Sequence, residues 1–510
     1  MAEHTPVLII LAPLFGSLLV ILLGMKTKAA CLPVSILTMA VSLSAAIATF
    51  LQVLANGEIR YRLGGWEPPF GIEYRVDMLS TLVLIVITGI ALLNVIYSAG
   101  RVTVETPERE PIYYTLLLLL IAGLAGMTIT NDAFNLYVLL EISSLTSYAL
   151  IAVGSRRAVL AAFNYVIMGT IGASFYLLGV GYLYIKTGSL NMTDIHSILV
   201  DQGLADSKSM HVGFILIMLG VWIKMAFFPL HGWLPNAYTY SPTVTGTTMA
   251  PLVTKVMIYI MIRMMLTVFG AEYVFKSLGW SQVIVWLSTI AIVAGSIFAL
   301  SRRDLRKMLC YLIVAEVGYM VGGAWLANET GMVGAMYHII SDAFMTLCLF
   351  FAVGIVVLRT GEHRLIAFRG LFRKMPITMV GFTIGALSMI GLPPTCGFFS
   401  KWYLVQGGIE AGHWEYVAAL IFSSLINAIL FFRLFEMAFL KDLYKKEDED
   451  AIISVDPDSV PDAETTLPKA PWTMLGPMLF SAACVLLIGI FNRKIVEWLS
   501  SVASTVNFTP

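Results

Sequence analysis

Two stretches decide the fold: GVWIKMAFFPLHGWLPNAY at 220–238 and SMIGLPPTCGFFSKWYLVQ at 388–406. Both are apolar enough to enter a bilayer. Both also hold a lysine among prolines: Lys224 with Pro229 and Pro235, and Lys401 with Pro393 and Pro394. Proline removes a backbone donor and clashes with the preceding turn, so each helix is expected to break. Carbonyls freed at membrane depth are tolerated only against protein or a water-filled cavity. Interrupted apolar segments at matching places in two halves of a chain point to a transport site.

Composition agrees with a membrane setting. Of 510 residues, 58% are hydrophobic and 13% charged, where a soluble domain has roughly 25% charged. A soluble fold of this size would have to coat its surface in apolar side chains, so the class is an all-α polytopic membrane protein. Thirty-two basic residues balance thirty-two acidic ones, and so neutral and charge-poor a chain is no nucleic-acid binder. Cys31, Cys310, Cys348, Cys396 and Cys484 lie far apart in apolar runs with no CxxC pair. They read as small buried hydrophobes, not as a disulfide framework or metal site. No nucleotide-binding glycine pattern follows a predicted strand, so no cofactor is expected and the chain is expected to carry no redox chemistry of its own.

Fourteen apolar runs approach the ~20 residues needed to cross a bilayer. They lie near 7–24, 30–53, 77–98, 112–130, 133–153, 163–185, 211–229, 247–268, 282–300, 309–326, 331–358, 378–406, 415–439 and 472–491. The first has no basic segment before it and no small-residue cleavage site after it, so it is not a cleavable signal. Loops after odd-numbered runs hold nineteen lysines and arginines, and those after even-numbered runs hold six. The positive-inside rule then places the odd loops in the cytoplasm and both termini outside. The expected organisation is N-terminal helices over 1–111, a five-span unit over 112–268 and a second over 282–440. An acidic, proline-bearing cytoplasmic loop follows over 441–471, then a last helix and tail over 472–510.

Few charges fall within the runs: Lys224, Lys255, Arg263, Lys401 and Arg433, with Glu141, Glu316, Asp342 and Glu436. Arg263, Arg433 and Glu436 lie within about two turns of a span end and can snorkel to the interface. The deeper ones cost a few kcal/mol each, so they face a bundle interior or wet cavity and read as functional. Burial lets a lysine release a proton and a glutamate hold one, and a line of such groups is a proton relay. The competing reading is buried ion pairs that only fix helix packing.

Glu141 precedes Lys224 by nearly the interval at which Glu316 precedes Lys401. With five spans per unit, an odd number, the second copy runs inverted. Each half then has a carboxylate and a broken-helix lysine. Between them stand Lys255 in the eighth span, His231 at the first break and His338 in the eleventh. An imidazole passes protons near neutral pH, although a lone histidine in an apolar span is often a satisfied core residue. Asp342 follows His338 by one turn, where it can orient that ring.

These residues carry a resemblance. NDAFNLYVLLEISSLTSYALIA (131–152), KMAFFPLHGWLPNAYTYSP (224–242) and GLPPTCGFFSKWYL (391–404) resemble the antiporter-like subunits shared by Mrp-type sodium/proton antiporters and respiratory complex I. GGWEPPFGIEYRVDMLS (64–80) and the serine-rich glutamate run are most similar to the D-type subunits of Mrp, and the D-like subunits of membrane-bound hydrogenases are similar too. The resemblance covers roughly 60–440. It implies fourteen helices with two inverted five-helix repeats, a Glu141–Lys224 pair, and a relay through Lys255 to Lys401. In the family's eleventh span two histidines and a lysine recur at four-residue steps. Here His338 matches the first, while Asp342 and Thr346 stand at the others. The tenth span has Ala315 and Glu316 where the family has Ser-Gln.

The function these readings imply is proton translocation by an Mrp D-like subunit, with a subunit of complex I or of a hydrogenase- or formate-linked redox complex as the alternative. A scaffold that no longer conducts is the third. The expected setting is the cytoplasmic (inner) membrane, among other subunits, with protons and, for an antiporter, sodium as the ions moved.

Overall fold

Polar side chains cap four of the helices at the rims of the apolar runs. The structure, a computed structural model, describes residues 4–439 and 470–504. In chain order its main helices are α1 (Thr5–Gly24), α2 (Cys31–Asn56), α3 (Met78–Tyr97), α4 (Glu110–Ile129), α5 (Ala133–Ala152) and α6 (Arg156–Thr187). Next come α7 (Lys208–Lys224), the short α8 (Leu234–Tyr240), α9 (Thr243–Arg263), α10 (Ser281–Leu300), α11 (Leu305–Trp325) and α12 (Glu329–Thr360). The chain continues through α13 (Pro376–Ile390), α14 (Cys396–Glu410), α15 (Trp414–Phe439), α16 (Trp472–Ile490) and the amphipathic α17 (Asn492–Ala503). Asp77 and Ser80 form a reciprocal capping box on α3, and Asp132, Asp304 and Asn328 cap α5, α11 and α12 through their side chains. Each satisfies amide donors that lack an intrahelical acceptor.

Among the described residues, thirteen helices are long and apolar enough to cross a membrane. The run at 378–406 is instead split into α13 and α14, because the chain turns at Gly391 and passes through Pro393 and Pro394. The run at 211–229 likewise ends early, at Lys224, and resumes as α8. The peptides before Pro229 and Pro394 are cis. The expected acidic loop at 441–471 lies almost wholly outside the described residues.

Two helices, α6 and α12, each have 32 residues and end on a left-handed glycine, Gly188 at φ 68° and Gly361 at φ 69°. At ~1.5 Å per residue they exceed the ~30 Å hydrocarbon core and must tilt or protrude. Their surroundings differ. In α9 every residue from Thr243 to Ile262 is buried, and α11 and α12 are nearly as enclosed, so these three form the centre. By contrast α6 turns Leu160, Phe163, Ile167 and Ile171 outward on one apolar face. The loop between α2 and α3 holds an antiparallel hairpin of β1 (Ile59–Arg62) and β2 (Glu73–Val76), with Ile59 opposite Val76. The chain is thus a multi-pass membrane protein.

Candidate functional site

At the first break α7 stops on Lys224, Ala226 adopts φ 60°, and α8 begins eight residues after Ala226. The freed Ile223 carbonyl accepts a hydrogen bond from the Trp233 indole at 2.9 Å. Lys224 is therefore not needed as a cap and points to α5. Its ammonium donates to Ser144 Oγ at 2.6 Å and Tyr148 Oη at 3.4 Å. Ser144 in turn donates to the Leu140 carbonyl. Tyr148 reaches this place because residue 169 on α6 is glycine: a Cβ there would stand 1.9 Å from the phenolic oxygen. Glu141 lies one turn from Ser144, half-buried, and forms no ion pair with Lys224 within 4.0 Å.

The second break is built differently. Gly391 takes φ 94°, a region that side-chain-bearing residues avoid. Lys401 folds back over it, and its ammonium donates to the Met389 carbonyl at 2.7 Å, the Ile390 carbonyl at 3.4 Å and Ser424 Oγ at 3.2 Å. The Asn427 amide shares the Met389 carbonyl at 3.0 Å. Here the lysine itself caps the broken helix, where a cation also suits the negative end of the helix dipole. The Tyr319 ring lies beneath it, 5.2 Å from ammonium to ring centre.

Between the two breaks, α9, α11 and α12 bring buried charges together. The Lys255 ammonium lies 2.8 Å from Asp342 Oδ2, an ion pair whose angle falls short of an aligned hydrogen bond, and also donates to the Ala250 carbonyl at 3.2 Å. The other Asp342 oxygen accepts from Thr346 at 2.7 Å. His338 contacts the Glu316 carboxylate through Nε2 and Ser400 Oγ through Nδ1, the latter at 2.8 Å. Glu316, His338 and Asp342 each present a donor atom within 4.8 Å of the others. The series runs from Lys255 through Asp342, Glu316 and His338 to Ser400, the chain neighbour of Lys401. Three such donors are close enough to share a metal ion, but Lys255 already occupies Asp342 and Glu316 is spent on His338. Each acid has an internal partner, although Glu316 Oε1 accepts no hydrogen bond among the described residues.

Two sequence expectations change here. By spacing Asp342 orients His338, yet it pairs with Lys255 across helices, and Glu316 holds the ring instead. By spacing Glu316 also matches Glu141 as an acid serving a broken-helix lysine, yet it forms no ion pair with Lys401 within 4.0 Å. His231 stacks on Phe228 with centroids 5.2 Å apart, and its buried Nδ1 has no partner among the described residues. It joins neither Lys224 nor Lys255. Arg306, a loop charge by sequence, is buried and donates to the Ser241 carbonyl at 3.2 Å and to Thr243. Sequence reasoning missed Ser144, Tyr148, Ser400 and Asn427. The only linear hints were that Ser144 and Tyr148 fall one and two turns after Glu141, and that Ser400 adjoins Lys401.

Residues 130–427 match the family model described as "NADH:quinone oxidoreductase/Mrp antiporter, TM". The chain is 43% identical over 502 residues to the N subunit of NADH-quinone oxidoreductase from Desulforudis audaxviator (strain MP104C), covering 98% of each. It is 29% identical over 497 residues to the D subunit of the Na(+)/H(+) antiporter from Bacillus subtilis (strain 168), covering 97% of this chain and 94% of that one. A chain in the solved structure of the membrane-bound sulfane sulfur reductase, an archaeal respiratory membrane complex, superposes with a TM-score of 0.88 at 26% identity, over 98% of this chain and 97% of that one. This chain belongs to the NADH:quinone oxidoreductase/Mrp antiporter membrane family, and it is an antiporter-like subunit.

Proposed function

We propose that the chain moves protons within a multisubunit membrane complex. The observation that carries the reading is the buried series Lys255–Asp342–Glu316–His338–Ser400, which ends beside Lys401. Nothing in packing alone calls for two carboxylates, an imidazole and two lysines at the centre of apolar helices, where each charge carries a desolvation cost. Protons enter the first half at Lys224, whose affinity for its proton is set by the nearby Glu141 carboxylate, pass Lys255 and His338, and leave near Lys401. His231 stands outside this line in the present conformation.

Two inverted five-helix units account for the pattern. The broken helices α7/α8 and α13/α14 occupy corresponding places, and the matched 32-residue helices α6 and α12 precede them. Orientation follows the basic loops, with both termini outside the cytoplasmic membrane. As to the complex, the higher full-length identity to a quinone oxidoreductase subunit favours a redox-driven assembly. The run at 64–80 and the antiporter relative favour the Mrp reading, in which sodium is exchanged.

The test is the whole complex in sealed vesicles. Lys224→Ala and Glu141→Ala are expected to abolish coupled proton movement while the complex still assembles. Undiminished transport in both variants overturns the proposal.

A further inference from the structure

An imidazole can exchange a proton at either nitrogen, and the partner of one nitrogen decides what the other does. His338 on α12 has a partner on each side. Nε2 faces the Glu316 carboxyl on α11, and Nδ1 lies 2.8 Å from Ser400 Oγ on α14. Ser400 also lies 3.0 Å from the Gly397 carbonyl, one turn back in its own helix. Glu316, His338 and Ser400 are all 0% exposed, so bulk water does not compete for these groups. The Tyr319 ring flanks the imidazole, with centroids 5.5 Å apart.

A carbonyl has no hydrogen to give, so Ser400 is the donor in the Gly397 contact. A serine hydroxyl carries a single hydrogen. Spent on Gly397, it leaves only lone pairs for His338, and Nδ1 must carry a hydrogen to meet them. The bonds then run in one direction: Glu316 to Nε2, Nδ1 to Ser400, Ser400 to Gly397. The opposite order has Ser400 donate to Nδ1 and Nε2 donate to Glu316. It satisfies the ring but leaves the Gly397 contact without a hydrogen, and a bond left unmade in a dry core is costly. A hydrogen on the acid also spares Glu316 a buried charge that Oε1, which accepts nothing among the described residues, could not disperse.

We propose that Ser400 is a positioning residue for proton transfer at His338: by accepting from Nδ1 it keeps Nε2 as the exchanging nitrogen. The step it sets up joins two groups already in contact. The O–H bond of Glu316 breaks as an N–H bond forms at Nε2, leaving carboxylate against imidazolium. The reverse transfer restores the neutral acid and ring. Nδ1 keeps its hydrogen throughout, and Ser400 exchanges none. Without that hydroxyl the neutral ring is free to carry its hydrogen on Nε2, where it closes the nitrogen to the acid.

The inference rests on the relay reading of His338, and its test can fail separately. The intact complex is reconstituted in vesicles with ring-labelled histidine, and infrared bands lost in His338→Gln identify this ring. The ring C–N stretch distinguishes a hydrogen on Nδ1 from one on Nε2. In the parent complex the neutral ring is expected to carry it on Nδ1. In Ser400→Ala the band is expected to move to the Nε2 form, and proton movement to slow by roughly tenfold, the worth of one hydrogen bond. Ser400→Thr, which keeps a hydroxyl, is expected to retain the parent band and most of the rate. A neutral parent ring with its hydrogen on Nε2 overturns the assignment, and so does a parent-like band or an undiminished rate in Ser400→Ala. Loss of proton movement in Lys224→Ala alongside any of these leaves the broader function standing. Full proton movement in His338→Gln instead removes the relay step itself.

Discussion

The two broken helices solve one problem in opposite ways. At the first, an indole takes the freed carbonyl, and Lys224 is left to bind hydroxyls that can also receive its proton. At the second, Lys401 is itself the cap, held by two carbonyls and a serine. The acids differ too. Glu141 stands half-buried and forms no ion pair within 4.0 Å among the described residues, whereas Glu316 is engaged with His338 and Asp342 with Lys255. The first half therefore leaves its lysine out of the helix cap, and the second ties its lysine into the frame. On the proposed function, structure and proton transfer are separable in one and fused in the other.

The acids provide the largest test of that contrast. Asp342→Ala strands the Lys255 ammonium in the core, and breaking a buried pair in this way costs about 3–5 kcal/mol. Glu141→Ala breaks no ion pair within 4.0 Å, and Lys224 keeps Ser144 and Tyr148, so it should cost distinctly less, about 1 kcal/mol. Thermal unfolding of the detergent-solubilised complex reads the difference, and equal destabilisation by the two would break the comparison.

The lysines come next. Lys401→Met leaves the Met389 and Ile390 carbonyls short of a donor, an expected loss of about 1–3 kcal/mol. Lys224→Met leaves Ser144 bonded to Leu140 and should cost distinctly less. Both variants should lose proton movement. A lower unfolding midpoint for Lys224→Met than for Lys401→Met would reverse the assignment of cap and carrier.

The turns give the smallest effects. Ala226 bears a side chain at φ 60°, so Ala226→Gly should stabilise by about 1 kcal/mol. Gly391→Ala should destabilise by about 1–2 kcal/mol, since its Cβ would also stand 3.2 Å from Lys401 Cδ. Opposite signs in unfolding midpoints sharpen the contrast, and a common sign removes this part of it.

Much of the architecture was legible beforehand. Apolar runs of bilayer length must fold as helices because no water is present to satisfy the backbone, and prolines at 229 and 393–394 mark the breaks because they withdraw a donor there. The site was legible only as residue types. Lys255 and Asp342 are eighty-seven positions apart, and nothing linear says that α9 and α12 set them at 2.8 Å. The hairpin was hidden because its strands are only four residues each, too short for their alternation to stand out from a loop.

By itself, then, the chain's sequence determined a bundle of membrane helices, two of its breaks and the handful of charges worth burying. Hydropathy and proline act locally and leave a linear trace. Only the tertiary structure decided which acid meets which base, because that depends on helix rotation and packing at distances the sequence does not encode. It placed Glu316 on His338 and Asp342 on Lys255, made Lys401 a cap, and set Lys224 on the hydroxyls of Ser144 and Tyr148.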